Sequence, residues 1–337
     1  MDSEYLGTLA TDDPLYERLK NEVQPQLTDF VENPVYHVSD VSGSNAVCLY
    51  EEETTGAKII GKYFYSDRRP DRDAAADRLE KEFDALETVR GFGFDTDPYY
   101  VAKPLAKYHD LNELLLVETC AGELLGDVVS RAIEANDESL LYQKLGALAH
   151  FFAALHNRTA SESLVNFDEA LDYSSMVADQ CERFFDADTY NQFSDYLDVW
   201  RMKEEMYEDN AVLVHGDATP ANFVFGEGEN VRSFDLERCL YADRVFDVGR
   251  MCGELQHFFL METGNKYEAE PFIGHFLWEY ASQFPDQQSA FDSITRRVPF
   301  YMGTTLLRIA RNTWLDQEYC AHLIDEAKLC FEKGIDE

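Results

Sequence analysis

The feature that most constrains the fold is a change of sequence pattern near residue 119. Before it, the chain contains short runs typical of β-strands, which are separated by turn residues. These runs are NAVCLYEEE, AKIIGKYFY, YYVAKPLAKY and ELLLVETCAG. After it, most segments have helical character. With 337 residues, the chain exceeds the usual size of one domain. We therefore predict an α+β chain, with a β-rich part over residues 1–119 and a larger, mostly helical part over residues 120–337.

One helix is expected inside the β-rich part, in the segment DAAADRLEKEFDALETVRG. Its apolar residues recur at steps of three and four, which places them on one helical face. Asp71 or Asp73 can cap the start of this helix, and Gly91 can end it.

A segment over residues 211–240 interrupts the helical part. It contains VHGDATPAN, followed by NFVF-GEGEN-VRSFD, which has the pattern of a β-hairpin with a Gly-rich turn. Pairing Phe225 with Arg232 would place Asn222 opposite Asp235. The hairpin would therefore place the carboxylate of Asp235, thirteen residues further along the chain, beside the amide of Asn222.

The polar residues of this segment suit phosphoryl transfer. Asn222 and Asp235 offer oxygen ligands, and Mg²⁺ prefers a few protein oxygens together with water and substrate phosphates. Asp217, five residues before Asn222, can accept a proton from an attacking hydroxyl or orient it. A base, an amide ligand and an acid ligand in this order are the parts of a kinase site.

The charge of the chain limits its partners. It has 65 acidic and 29 basic residues, a formal net charge of −36, so a nucleic-acid-binding surface is not expected. Two interpretations of the acids stay open. They can form a generally acidic surface suited to high salt, or they can line a pocket for a cationic substrate. Their spread along the whole chain favours the acidic surface.

Cysteine usage and the N-terminus bear on the compartment. Seven cysteines without a C-x-x-C pair suggest reduced thiols in a cytosolic protein. The acidic start MDSEYLGTLATDD lacks a signal-peptide pattern, and no long apolar run predicts a membrane span. We therefore expect a cytoplasmic protein without a membrane partner, whose oligomeric state the sequence leaves open.

The motifs VHGDATPANFVF, SFDLE and ADRVFD resemble those of the aminoglycoside phosphotransferase and choline kinase superfamily, relatives of the protein kinases. The resemblance extends over most of the chain. It implies a protein-kinase-like bilobal fold, with a small β-rich N-lobe containing one inserted helix and a larger helical C-lobe. It also implies ATP and Mg²⁺ as cofactors and a small-molecule hydroxyl as acceptor.

The resemblance assigns roles in nucleotide binding to the N-lobe. Lys62 matches the strand lysine that binds the α- and β-phosphates, and Glu82 matches the helix acid that pairs with it, with Glu80 as the alternative. The segment around Glu118 and Cys120 resembles the strand that links the lobes, where main-chain groups would bind adenine. The phosphate-covering loop would present backbone N–H groups of Ser42, Gly43, Ser44 and Asn45.

Four further residues have supporting roles in this comparison. His156 is expected to be structural, His215 to brace the catalytic loop, and Asp247 to brace the same loop from a helix start. Glu237 can reach the metal through water or can simply be exposed to solvent.

The expected function is ATP-dependent phosphorylation of a small-molecule hydroxyl. The acceptor belongs to the classes of aminoglycosides, sugars or amino alcohols, and the preference for ATP over GTP is open. One alternative is a catalytically inactive nucleotide-binding regulatory protein of the same fold. Another is a protein kinase, which is disfavoured because the segment from Asp235 to Asp243 is too short for an activation loop.

Overall fold

The structure is a computed structural model that describes residues 3–41, 46–67, 69–135 and 137–336. The described chain forms two compact units. The first runs to Ala121 and also includes Arg232–Glu237, whereas the second comprises Gly122–Val231 and Arg238–Glu337. The lobe boundary at residue 119 stays a prediction.

The described residues form thirteen strands, which in chain order are β1 Ser3–Thr8, β2 Tyr36–Val41, β3 Ala46–Glu52, β4 Lys58–Tyr63, β5 Asp95–Thr96, β6 Tyr99–Val101, β7 Pro104–Tyr108, β8 Leu114–Glu118, β9 Glu123–Leu124, β10 Val212–Val214, β11 Phe223–Phe225, β12 Val231–Ser233 and β13 Leu240–Ala242. The same part of the chain contains ten α-helices, namely α1 Pro14–Arg18, α2 Arg72–Gly91, α3 Leu125–Ala135, α4 Glu138–Arg158, α5 Phe167–Asp179, α6 Ala187–Arg201, α7 Val245–Thr263, α8 Glu270–Ala281, α9 Gln287–Ala310 and α10 Gln317–Asp336.

A six-stranded antiparallel sheet organises the first unit, in the order β1-β2-β3-β4-β8-β7. The predicted runs NAVCLYEEE and AKIIGKYFY contain its strands β3 and β4, which a turn over residues 53–55 joins. Because alternate side chains of a strand face opposite sides, one sheet face carries buried residues such as Tyr50, Ile59 and Leu116. These pack with α1 and the helical turns after it in one apolar cluster.

Helix α2 follows its sequence signals. The Asp71 side chain accepts a hydrogen bond from the Ala74 N–H at 3.0 Å, which satisfies one of the unpaired amides at the helix start. Its apolar stripe is buried at Ala75, Leu79 and Leu86, together with Glu82. The helix therefore presents one acidic side chain within an otherwise apolar face.

Helices form most of the second unit. Helices α7 and α9 pack closely against each other. A Cβ at Gly249 would come within 2.5 Å of the Tyr301 Cβ. A glycine at this position therefore allows the two backbones to approach. Two short antiparallel strand pairs, β10 with β13 and β9 with β11, interrupt the helices.

Several elements differ from the sequence prediction. Strands β1 and β2 and helices α1 and α5 were not predicted, although the buried residues Phe167, Leu171 and Ala178 of α5 recur at helical spacing. The helical character expected after residue 119 is interrupted where α6 ends at Arg201, and a single 3-10 turn, Glu204–Met206, follows. Within the described ranges, no helix is both long and apolar enough to cross a membrane.

All seven cysteines lie in the described part of the chain, and each carries a free thiol. The α+β class is confirmed, with a β-sheet in the N-terminal region and helices in the C-terminal part.

Candidate active site

The first unit brings three sequence-predicted residues together around one ammonium group. Lys62 Nζ lies 2.6 Å and 2.8 Å from the two carboxylate oxygens of Glu82, and 2.7 Å from Asp235 Oδ1. Lys62 is on β4, Glu82 on α2, and Asp235 just after β12. The pairing of Lys62 with Glu82 is present, whereas the phosphate-binding role of Lys62 stays a prediction.

Burial makes this contact electrostatically strong. Burial alone disfavours the ammonium of Lys62, but the carboxylates of Glu82 and Asp235 outweigh it, so the pKa of Lys62 is raised. Burial, with a smaller contribution from the Asp235 charge, raises the pKa of Glu82 to about 7 against the opposing effect of Lys62. One cation is thus shared by two acids, which leaves negative charge beside it.

Asp235 has a backbone conformation that L-residues adopt rarely. Its φ is +66°, in the left-handed region, where Asn and Asp are tolerated better than other side chains. A strained conformation of this kind persists only when its surroundings hold it, and such residues cluster at functional sites. Here the contact with Lys62 is one part of those surroundings.

Carboxylate oxygens of Glu82, Asp235 and Glu237 all lie within 4.8 Å of one another. Hard oxygen donors grouped in this way are the ligand type that Mg²⁺ prefers. This donor set fits the divalent cation that the resemblance implies. It also brings Glu237 close enough for the role in metal binding that the sequence left open.

Glu80, the alternative partner of Lys62, has other contacts. Its carboxylate receives hydrogen bonds from Lys107 and His109, and its side chain is 41% exposed. Helical geometry explains the difference, because residues two apart face different sides of a helix. The acid on the buried face is Glu82.

The other predicted nucleotide-binding positions are less informative. Ser42, Gly43, Ser44 and Asn45 lie outside the described residues, so the predicted phosphate loop stays a prediction.

Glu118 ends β8, and its backbone N–H donates to the Lys103 carbonyl at 3.0 Å. An adenine bound here would therefore use other main-chain groups of the segment that reaches Cys120. Burial, followed by the charge of Glu118, raises the pKa of the Cys120 thiol to about 12.

In the second unit, Asp247 holds the loop that begins the HGD motif. Its carboxylate accepts hydrogen bonds from the backbone N–H groups of His215 at 2.6 Å and Gly216 at 3.0 Å. It also lies 3.2 Å from His156 Nε2, while His156 Nδ1 contacts the Tyr280 hydroxyl at 2.8 Å. Both Asp247 and His156 are fully buried. Their geometry matches the bracing and structural roles expected from the sequence.

Glycine is required inside the motif. Gly216 has a φ of +78°, and a Cβ at this residue would lie 2.0 Å from the Arg238 carbonyl oxygen. The loop can therefore turn against the neighbouring backbone only without a side chain at position 216. His215 Nδ1 accepts a hydrogen bond from the Asp217 N–H at 3.3 Å, which further fixes the next residue.

Asp217 is held as a carboxylate among arginines. Arg308 Nη2 donates to Asp217 Oδ1 at 2.6 Å, and guanidinium nitrogens of Arg250 and Arg238 lie 3.6 Å and 3.9 Å from its oxygens. Burial disfavours the charged form, but Arg250, Arg308 and Arg238 outweigh it and lower the pKa of Asp217. The side chain is 14% exposed and can accept a proton or a hydrogen bond at neutral pH.

Asn222 is oriented by the same loop. Its side-chain amide donates to the Asp217 carbonyl at 2.8 Å, which fixes the amide group. The donating nitrogen is thereby used within the loop, and the amide oxygen is the group that suits a metal. The predicted placement of Asn222 opposite Asp235 stays a prediction.

The sequence prediction missed the arginines. Arg250 is one turn after Asp247 on α7, and Arg308 lies near the end of α9, in a segment for which the sequence offered no specificity signal. One signal was available, because the chain contains eighteen Arg and only eleven Lys. Arginine is the cation that suits buried ion pairs and the recognition of oxyanions.

Comparison with known proteins agrees with this architecture. The chain matches the profile of the phosphotransferase enzyme family, APH, over residues 26–282, which is more than half of its length. No curated protein is significantly similar to it in sequence.

Solved structures with low sequence identity share the fold. Amicoumacin kinase in complex with AMP-PNP, Ca²⁺ and Ami is 16% identical, with a TM-score of 0.60 over 96% of this chain and 93% of that one. An ADP-bound aminoglycoside phosphotransferase is 13% identical, with a TM-score of 0.57 over 96% and 99%. Ethanolamine kinase from Plasmodium vivax is 13% identical, with a TM-score of 0.57 over 90% and 82%. With its α+β architecture of the protein-kinase-like type, the chain belongs to the phosphotransferase enzyme family.

Proposed function

We propose that the chain transfers the γ-phosphate of ATP to a hydroxyl group of a small molecule. The observation that carries this proposal is the contact of the buried Lys62 with both Glu82 and Asp235. A lysine held on a strand by a helix acid, beside an acid that suits a metal, is the arrangement that neutralises nucleotide phosphates in kinases.

Asp217 is the proposed base or orienting group for the acceptor hydroxyl. It is ionised because its pKa is lowered by arginines, and its backbone is fixed through His215 and Asp247. An ionised carboxylate with a fixed position can accept the proton that the hydroxyl loses as its oxygen bonds to phosphorus. Positioning and electrostatics then supply the rate enhancement, without a covalent enzyme intermediate.

Asn222 and Asp235 are the proposed ligands of Mg²⁺, and Glu237 is a third candidate from the carboxylate cluster. When bound, the cation would neutralise phosphate charge. Lys62 contributes a second positive charge, which Glu82 holds in position. Ser42, Gly43, Ser44, Asn45 and the main chain from Glu118 to Cys120 are the further proposed nucleotide contacts.

The names of the structural relatives support a small-molecule acceptor. They include kinases of amicoumacin and ethanolamine and an aminoglycoside phosphotransferase. The short segment after Asp235 again disfavours a protein acceptor.

The test follows labelled γ-phosphate from ATP in the presence of Mg²⁺, with a panel of sugars, hydroxy acids, amino alcohols, aminoglycosides and a generic protein substrate. Three proteins are compared: the native chain, Asp217→Asn and the control Asp168→Asn. Asp168 is an exposed carboxylate whose side chain is 62% accessible. Transfer to a small molecule that is lost in Asp217→Asn and kept in Asp168→Asn supports the proposal. ATP binding without transfer to any panel member would favour the inactive regulatory protein instead.

A further inference from the structure

Three arginines surround the candidate base in the second unit. Arg308 donates directly to Asp217, and Arg250 and Arg238 lie within 3.9 Å of its oxygens. A second acid, Glu254, lies 3.4 Å from Arg308, and burial raises its pKa despite the arginines. Three permanently charged guanidinium groups thus lie beside the carboxylate of Asp217. This concentration of positive charge occurs in a chain whose net charge is −36.

Several N–H groups of Arg250 and Arg308 are not used in hydrogen bonds within the described residues. Among the described residues, buried Arg250 Nε and Nη2 and Arg308 Nε have no hydrogen-bond partner, and neither does the buried hydroxyl of Tyr173. A guanidinium carries five N–H donors, and leaving buried donors unpaired is unfavourable. Positioning of Asp217 alone would need fewer donors than these two side chains provide.

The residues that carry these unpaired donors line one cavity. Tyr173, Arg250 and Arg308 border it, together with Phe246 and Thr305, and its volume is about 10 Å³. That is roughly the space of one water-sized group. A single oxygen atom fits there, and an oxyanion is the group that accepts from several guanidinium N–H groups at once.

A cationic acceptor does not suit this neighbourhood. The charge of Asp217 is already compensated by the arginines, so it offers little attraction to an amine. An ammonium group beside three guanidinium groups would be repelled, and more strongly where burial reduces screening. The acids of the chain therefore do not form a cation pocket at this place.

Resting on the proposed function, we infer that the acceptor is an anionic hydroxy compound, which presents its hydroxyl to Asp217 and its anionic oxygens to Arg250 and Arg308. A hydroxy acid and a hydroxy phosphate ester share this chemistry. Their carboxylate or phosphate would replace part of the contact between Arg308 and Asp217, leaving the carboxylate of Asp217 accessible to the hydroxyl.

The test uses two matched series of acceptors that differ in charge, at fixed ionic strength. The first is glycerate, glycerol 3-phosphate, glycerol and 2-amino-1,3-propanediol, and the second is gluconate, glucose and glucosamine. We expect kcat/KM for an anionic member to exceed that of its neutral partner at least about 10-fold, and the cationic member to be poorest, since a charge-assisted hydrogen bond contributes roughly 10- to 100-fold. Comparing glycerate with glycerol 3-phosphate separates a carboxylate from a phosphate.

Variants separate the acceptor site from other roles of the arginines. Arg308→Gln should reduce the anionic-to-neutral ratio of kcat/KM by about 10-fold or more, and Arg308→Lys should reduce it less. Because a ratio cancels any common effect on Asp217, it reports on acceptor binding alone. Arg201→Gln is the control, since half-exposed Arg201 pairs with Asp168 and Asp198 and should leave the ratio unchanged. Thermal midpoints check that each variant is folded.

Five outcomes decide the inference. An anionic preference that Arg308→Gln removes supports it. A preference for the neutral or cationic members overturns it while leaving the proposed function intact. An unchanged ratio in Arg308→Gln, with a raised KM for ATP, would assign the arginines to the nucleotide phosphates and also overturn it. If the chain transfers no phosphate, calorimetry measures binding instead. Glycerate or gluconate binding that depends on Arg308 would support the anion site and reject the proposed function, whereas no binding would reject both.

Discussion

The guanidinium of Arg308 donates to the Asp217 carboxylate at 2.6 Å, so the candidate base is ion-paired with a residue ninety-one positions further along the chain. Both side chains are mostly buried. This contact keeps Asp217 charged and makes its pKa depend on a residue from the last turns of α9. The dependence gives a pH test of the site.

Arg308→Gln should move the acid limb of the pH profile of kcat/KM to higher pH. The native carboxylate has a pKa below the ordinary value of 3.8, and removing a neighbouring positive charge disfavours the charged form, which raises that pKa. Asp217 would then become protonated, and inactive as a base, at a less acidic pH. Arg308→Lys keeps the charge and should shift the limb less. An acid limb at the same pH in all three proteins would show that Asp217 does not control it.

Glu82→Gln should weaken both the fold and nucleotide binding, whereas Glu80→Gln should do neither strongly. Gln keeps the size of Glu82 but removes a buried charge partner of Lys62, for which we expect a loss of about 1–3 kcal/mol in the free energy of unfolding. Glu80 pairs near the surface, where such contacts contribute less than about 1 kcal/mol. Denaturant titration of both variants measures this difference. Similar losses of unfolding free energy in the two variants would contradict the assignment of Glu82 as the stabilising partner of Lys62.

Asp235→Asn should abolish the Mg²⁺-dependent gain in ATP affinity. Asn tolerates the left-handed backbone conformation of residue 235, so this substitution removes the charge without adding strain. Calorimetric titration of ATP with and without Mg²⁺ is the measurement. Glu53→Gln, which changes an exposed carboxylate, is the control. If Asp235→Asn kept the native Mg²⁺ enhancement, the metal-ligand assignment would be wrong.

Gly216→Ala should be markedly more destabilising than Gly56→Ala. Both glycines have positive φ, +78° and +69°, which costs an alanine about 1–2 kcal/mol. Only Gly216 would also place its Cβ 2.0 Å from a backbone oxygen, whereas a Cβ at Gly56 meets nothing within 4 Å. We expect a total loss of more than about 2 kcal/mol for Gly216→Ala. Thermal unfolding measures both variants, and equal midpoints would contradict the close backbone approach.

Local signals in the sequence identified much of the first unit. Strands β3, β4 and β8 and helix α2 follow from alternating and three-to-four apolar spacing, and Asp71 caps α2 as expected. Its position on the apolar face of α2 favoured Glu82 over Glu80, and in the structure Glu82 pairs with Lys62. These features are local, so the chain itself encodes them over a few turns or strands.

The motif H-G-D-x-x-x-x-N was equally readable, because a loop that carries chemistry keeps its residues within a short stretch. Its supports were only partly readable. Asp247 was expected to brace the loop, but the manner, through two backbone N–H groups, depends on how α7 begins beside the motif. The first two strands escaped prediction because tertiary packing, more than local periodicity, stabilises them, whereas α5 was missed although Phe167, Leu171 and Ala178 lie at helical spacing.

By itself, the sequence determined the α+β class and the family motifs, and it indicated candidate residues for phosphoryl transfer. Only the tertiary structure decided which charges surround Asp217. Arg238, Arg250 and Arg308 are separated by up to seventy residues, and no spacing rule predicts that they meet. The reason is physical: the pKa of a buried carboxylate depends on charges within a few ångströms, and those distances exist only after α7 and α9 have packed together.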